Sequence, residues 1–206
     1  MKAITISIFS ILMVFFVSCR PTLDSDTASQ IPGDITVFQQ SMLDEINLAR
    51  TDPVGYAEQR LENARKDSVD NGSYSYMKNL SPLSPLSFNN SLNLSASNYA
   101  LFLAEKNLMG HDLNGTPMKR AINVGFTGSS IGENIAASTG DSYNSGADPK
   151  TAAIYFVRIM IIDSGVTDLG HRLTMMNTKY STIGIGYSRN TASTFVNYNV
   201  QDFGNL

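Results

Sequence analysis

The stretch Ser130-Ile131-Gly132-Glu133-Asn134-Ile135-Ala136-Ala137 decides how this chain folds. It reads as a strand or extended segment, and Glu133 stands in the middle of it. A charged group inside a weakly polar run needs a partner, because an unpaired buried charge is costly. The elements that could answer Glu133 lie on both sides of it in sequence.

Toward the carboxyl terminus, Asp148-Pro149 opens a helix whose apolar residues include Ala152, Tyr155, Phe156, Ile159 and Ile162, and which ends at Asp163. Gly165 and Gly170 bracket a loop that delivers His171. Thr182 to Tyr187 and Thr194 to Val200 alternate as strands, and Ser188 to Ser193 joins them as a hairpin loop. Gly184 and Gly186 inside the first of these strands mark a close backbone approach.

Toward the amino terminus, the strongest helix runs from Asn89 to Leu108, with Leu92, Ala96, Tyr99, Ala100 and Leu103 on one face. Gly110 is the natural stop, and His111 follows it. Thr116-Pro117 begins a short helix that ends near Gly125. Residues 66–88 read as a long irregular stretch, with Leu83, Leu86 and Phe88 packed on the core and the two prolines enforcing extension. Before it, Phe38, Met42, Ile46 and Ala49 mark one helix ending near Arg50. Pro53 opens another, with Val54, Ala57, Leu61 and Ala64 as its stripe. The order predicts an α+β fold, helices packed on a small, mainly antiparallel sheet.

The composition suits one exported domain. The chain has 206 residues, 42% hydrophobic and 16% charged, enough to bury a core and too apolar for a disordered chain. The net charge of −3 gives no basic surplus, so no nucleic-acid partner is expected. Residues 1–18 read as a signal peptide, with Lys2 before a 15-residue apolar core, short of a membrane span. The only cysteine, Cys19, follows directly in Phe16-Val17-Ser18-Cys19. This resembles a bacterial lipoprotein signal, although Phe16 departs from its usual Leu, Ile or Val. The expectation is a protein exported and held at the membrane on its extracytoplasmic side, or the cell surface, by an acyl anchor on Cys19. Without lipidation it is secreted. Residues 19–35 form a tether, residues 36–206 the folded domain, and a monomer is favoured.

Four polar residues carry the candidate chemistry: His111, Glu133, Asp163 and His171. They could satisfy one another or form a nitrogen and oxygen site for zinc or another divalent ion. A His after a helix is more often a cap or a solvated turn residue, and a Glu in a short strand is often at an edge or exposed position. The spacings fit no short metal motif, and neither the HExxH helix nor a CxxC pair occurs.

The ordered set of motifs resembles the CAP superfamily, named for cysteine-rich secretory proteins, antigen 5 and pathogenesis-related proteins, in its bacterial SCP-like form. Met42 to Arg50 looks like the family's first helix. Pro85-Leu86, Phe88 to Leu92 and Ala96 resemble the approach to its second conserved helix. His111-Asp112 with Gly115, Arg120 and Gly125 looks like the first His motif, Gly132-Glu133-Asn134 like the GEN signature, and Gly170-His171-Arg172 like the GHR motif. Gly184-Ile185-Gly186 and Phe195 to Tyr198 fit the closing strands.

The resemblance covers residues 38–204. It implies a three-layer α-β-α sandwich and a cleft lined by His111, Glu133, Asp163 and His171. Many members carry Glu after a Trp where Asp163 stands, and this chain has no Trp. Within that frame the expected activity is a binding module. His111 and His171 hold a divalent ion, Glu133 and Asp163 orient them, and a peptide, glycan or lipid is the ligand. One alternative is a lipid carrier or envelope adhesion module. The other is a metal-dependent hydrolase or peptidase of the cell envelope with Glu133 as general base.

Overall fold

A computed structural model describes residues 36–139 and 148–206. The expected signal segment, Cys19, the expected tether and nearly all of the loop expected between Gly140 and Asp148 lie outside the described residues.

Helix α1 (Val37–Thr51) starts at Thr36, whose hydroxyl accepts from Gln39 N while the Gln39 side chain reaches back to the Thr36 backbone, a full capping box. Its Met42, Ile46 and Ala49 are fully buried. Asp52 then caps α2 (Pro53–Tyr56), which continues through a π-helical turn, Ala57–Leu61, into α3 (Glu62–Lys66). The second predicted helix is thus one helical run with a wider turn inside it.

The irregular reading of residues 66–88 needs correction. It contains α4 (Ser73–Asn79), begun by the left-handed Gly72. Its polar composition hides the helix, which is held by tertiary contacts: Met77 is fully buried in the main core, and Tyr76 lies under the Arg172 guanidinium. The two-residue strand β1 (Ser87–Phe88) follows.

Helix α5 (Asn90–Lys106) ends at Asn107 rather than at Gly110. Asn107 adopts the left-handed conformation, φ 54°, that closes the last turn, and asparagine tolerates it. Then come α6 (Pro117–Asn123), β2 (Ile131–Ser138), α7 (Pro149–Ile162), α8 (Gly170–Met175), β3 (Thr182–Arg189) and β4 (Asn197–Gly204). The final strand reaches four residues beyond the predicted end at Val200. Among the described residues no helix is long and apolar enough to cross a membrane.

The four strands lie in the order β1-β3-β4-β2, antiparallel except for the short β1–β3 pair. On one face α1 and α7 close a core with Ile183, Ile185 and Phe203. On the other, α5 covers Ile135, Tyr198 and Val200. The result is the α-β-α sandwich expected from the resemblance, with β2 as an edge strand.

The α5 layer sits unusually close. A Cβ at Gly184 would meet the Leu92 carbonyl carbon at 2.0 Å, and one at Gly186 the Ala96 oxygen at 2.1 Å. Both obstacles are backbone and cannot rotate aside. Gly184→Ala should therefore destabilise the fold by about 3 kcal/mol, the upper end of overpacking costs, read as a lower urea midpoint with an unchanged m-value.

Candidate functional site

Glu133 is delivered by register. In β2 it lies opposite Asp202 of β4, and the alternation that turns Ile135 and Val200 toward α5 turns Glu133 and Asp202 the same way. That face is dry, and the Glu133 side chain is 1% exposed. The Arg120 guanidinium of α6, itself buried, meets Glu133 Oε2 in an ion pair. The same guanidinium donates to the carbonyl oxygens of His111, at 2.7 Å, and Gly115. It also stacks 3.4 Å from the centre of the Tyr99 ring. One cation thus neutralises Glu133 and folds the loop after α5 around itself.

That loop presents His111, whose Nδ1 donates to Glu133 Oε1 at 2.8 Å. The His111 side chain is 54% exposed, so the ring faces the surface while its anchor is buried. Tyr99 steadies the loop from beneath, donating to the Gly110 carbonyl and accepting from Leu113 N.

The second pair comes from the opposite layer. Asp163 caps α7 in the left-handed conformation, φ 57°, uncommon for a residue with a side chain. Leu169, φ 55°, marks the other end of the loop and the start of α8. Between them the chain turns so that Asp163 Oδ1 accepts from His171 Nδ1 at 2.6 Å and Oδ2 from Arg172 N at 3.1 Å. Arg172 is fully buried and donates to the Ile161 and Ile162 carbonyls, the open end of α7. His171 Nε2 lies 3.2 Å from the Ile135 carbonyl, and Asn134 Nδ2 donates to the His171 carbonyl.

The four residues singled out in the sequence therefore form two pairs, His111 with Glu133 and His171 with Asp163. Both pairs meet strand β2, one through its Glu133 side chain and the other through the Ile135 carbonyl. The smaller acid at Asp163 reaches its histidine because the histidine stands in the first turn of α8, directly after the loop that Asp163 opens.

Three further residues belong to this arrangement. In the sequence Arg120 stands out only as part of a motif. A single Glu in an apolar strand calls for a guanidinium partner, and that requirement is the signal for it. Tyr99 reads as core, which it is, but its hydroxyl and ring both serve the His111 loop. Asp202 falls outside the predicted strand. Extending the alternation of Tyr198 and Val200 by one step finds it.

Both imidazoles hold a carboxylate through Nδ1, which leaves Nε2 as the nitrogen able to ligate an ion. An ion on His171 Nε2 would replace the contact to the Ile135 carbonyl. Among the described residues no three His, Cys, Asp or Glu side chains converge as a metal cage. Both Glu133 oxygens are already engaged. The two pairs leave an ion only the His111 and His171 Nε2 atoms, fewer than the three or four protein ligands usual for zinc.

The hydrogen bond to Glu133, more than any other influence, raises the His111 pKa above its ordinary 6.5. The folded form then binds the proton more tightly than the unfolded chain. The associated stability is complete below about pH 6.5 and is lost as pH rises through the folded value. In an NMR titration His111 should therefore titrate above 6.5, and Glu133→Gln should bring the midpoint down.

The sequence model of the Cysteine-rich secretory protein family, CAP, matches residues 43–203. The fold is similar to that of an outer surface protein from Borrelia burgdorferi, with TM-score 0.51 and 19% identity over 83% of this chain and 94% of that one. It is also similar to the structure of BmVAL-1, with TM-score 0.51 and 16% identity over 85% of this chain and 81% of that one. No curated protein sequence matches the chain.

Proposed function

The chain belongs to the cysteine-rich secretory protein (CAP) family, and from that premise we propose that it is a binding module outside the cytoplasm. Its ligand cleft is the β2 edge between His111 and His171. The observation that carries this reading is the bracing of both rings at Nδ1 by carboxylates, His111 by Glu133 at 2.8 Å and His171 by Asp163 at 2.6 Å. Bracing of this kind fixes ring orientation and keeps Nε2 for a ligand.

A divalent ion, zinc foremost, would be held by the two Nε2 atoms, and it would supply a Lewis-acidic point at which an exogenous ligand completes the coordination. Glu133 has an orienting role here. It is held by Arg120 and His111. Leu113 and Leu173, both about half exposed, stand two residues beyond each histidine and offer a ligand apolar contact.

Zinc titration tests the ion. For the chain without residues 1–18, zinc at about 100 times its Kd should raise stability by about 2.7 kcal/mol, seen as an increased thermal midpoint. The increase should vanish in His111→Ala and in His171→Ala. It should grow as pH rises, because ligation needs the neutral ring. A midpoint indifferent to zinc, or equally responsive in the double variant, removes the ion from the reading.

The signal-like segment and the single cysteine after it support export and anchoring through acylated Cys19. In a bacterial host, mass spectrometry of the membrane fraction should find the mature chain beginning at a lipid-modified Cys19. Cys19→Ser should leave the protein without acyl chains.

A further inference from the structure

Across the strand pair from Glu133 lies a second buried carboxyl group. Asp202 sits in β4 between two partners, Glu133 of β2 on one side and Gly184 of β3 on the other. Its relative exposure is 0%. Among the described residues, none gives either oxygen a formed hydrogen bond. The polar groups facing it are the Glu133 carboxylate from β2, the Ser95 hydroxyl from α5 and the Arg120 guanidinium from α6, while β3 contributes only a glycine.

An ionised carboxylate stripped of water and donors is among the costliest states a protein interior can hold. Here a second carboxylate, Glu133, stands directly across the strand pair, and Arg120 is spent on that neighbour. Two adjacent carboxyls on dry strands cannot both carry charge beside one guanidinium at low cost. The buried member with no ion-pair partner is the one to keep its proton. Once protonated it becomes a donor, and Glu133 is its charged acceptor.

We propose that Asp202 is a positioning residue that works as a neutral acid: its buried carboxyl donates a hydrogen bond to Glu133 and so fixes the carboxylate that holds His111 and Arg120. The Glu133 oxygens then accept from three sides, from the His111 ring, the Arg120 fork and the Asp202 hydroxyl. The arrangement is independent of any ion on His111 or His171. Burial, followed by the charge on Glu133, pushes the Asp202 pKa up to about 8.

The sign of the pH effect follows. Between about pH 4 and pH 8 the folded chain keeps a proton on Asp202 that the unfolded chain releases, so Asp202 lowers stability progressively across that window. Asparagine keeps a donor in nearly the same place and has no proton to lose. Asp202→Asn should match the parent in thermal midpoint near pH 4 and exceed it by a margin that widens up to about pH 8. It should also keep the downfield Nδ1 proton signal of His111, whereas Asp202→Ala, without the donor, should weaken or shift that signal.

Carbon-13 NMR of the unaltered, metal-free chain gives a measurement that needs no variant. The Asp202 carboxyl resonance should remain that of the acid at about pH 7 and change only near pH 8. A resonance that changes near pH 4, the ordinary range of roughly 3.9 for an aspartate, overturns the proposal. So does an Asp202→Asn variant that is less stable than the parent by the same amount at every pH, or one that loses the His111 signal as Asp202→Ala does.

Discussion

A carboxylate has been carried onto a sheet face that α5 seals from water, and Arg120 is the cation that makes this possible. The guanidinium does more than offset one charge. Its Nη1 donates to the carbonyls of His111 and Gly115, and its flat face takes the Tyr99 ring. A lysine has one compact charge and could not serve these directions together. The α5–α6 loop, the start of α6 and the middle of β2 are therefore held to one point. The depth of that point is set by Gly184 and Gly186, which let the α5 backbone come down onto the sheet. The position of His111 follows from these contacts.

His171 reaches the same strand by an independent route. Its half rests on α7 and α8, on the layer that packs with α1. Arg172 closes the carbonyl end of α7 while Asp163 turns back to hold both His171 and the Arg172 backbone. Strand β2 is the element on which the two halves meet. A buried polar ladder passes beneath it: Asn134 bonds Gln201, which bonds Asn199, which bonds the Gly186 carbonyl. The spacing between the two imidazoles is consequently a property of how both helical layers seat on the sheet. A core change remote from either ring reaches both imidazoles through that seating, since packed layers transmit strain.

Helices with clear caps and stripes are legible in the sequence. Thr36, Asp148 and Pro117 stand at starts, and the α5 face is continuous from Leu92 to Leu103. Glu133 and Asp163 are legible too, because a charge in an apolar run is conspicuous, and the chain has just two histidines to pair with them. Helix α4 is hidden, since Ser, Asn and Gly weigh against a helix locally and only the burial of Met77 and the Arg172–Tyr76 contact reverse this. The α5 terminus is misplaced by propensity, because Gly110 is the better stop although the chain has already turned at Asn107. Asp202 escapes for a third reason. A strand expected to become polar at its end is cut at Val200, although every residue from Asn197 to Gly204 is buried.

The three kinds of buried charge in this molecule have different solutions. Among the described residues Arg50 has no carboxylate partner and donates instead to the Ser84, Met175, Asn177 and Tyr180 carbonyls, which ties α1 to the chain leading into β3. Burial lowers its pKa, and that of Arg172, yet a guanidinium remains charged far above neutrality. Arginines can therefore be structural ties at any physiological pH. The carboxyls and imidazoles cannot, because their charge depends on neighbours and on pH. Arg50 and Arg172 stand where helices meet the rest of the fold, whereas His111, Glu133 and Asp202 gather where β2 meets β4. The proton held by His111 and the one proposed on Asp202 therefore sit beside Arg120, away from the Arg50 tie.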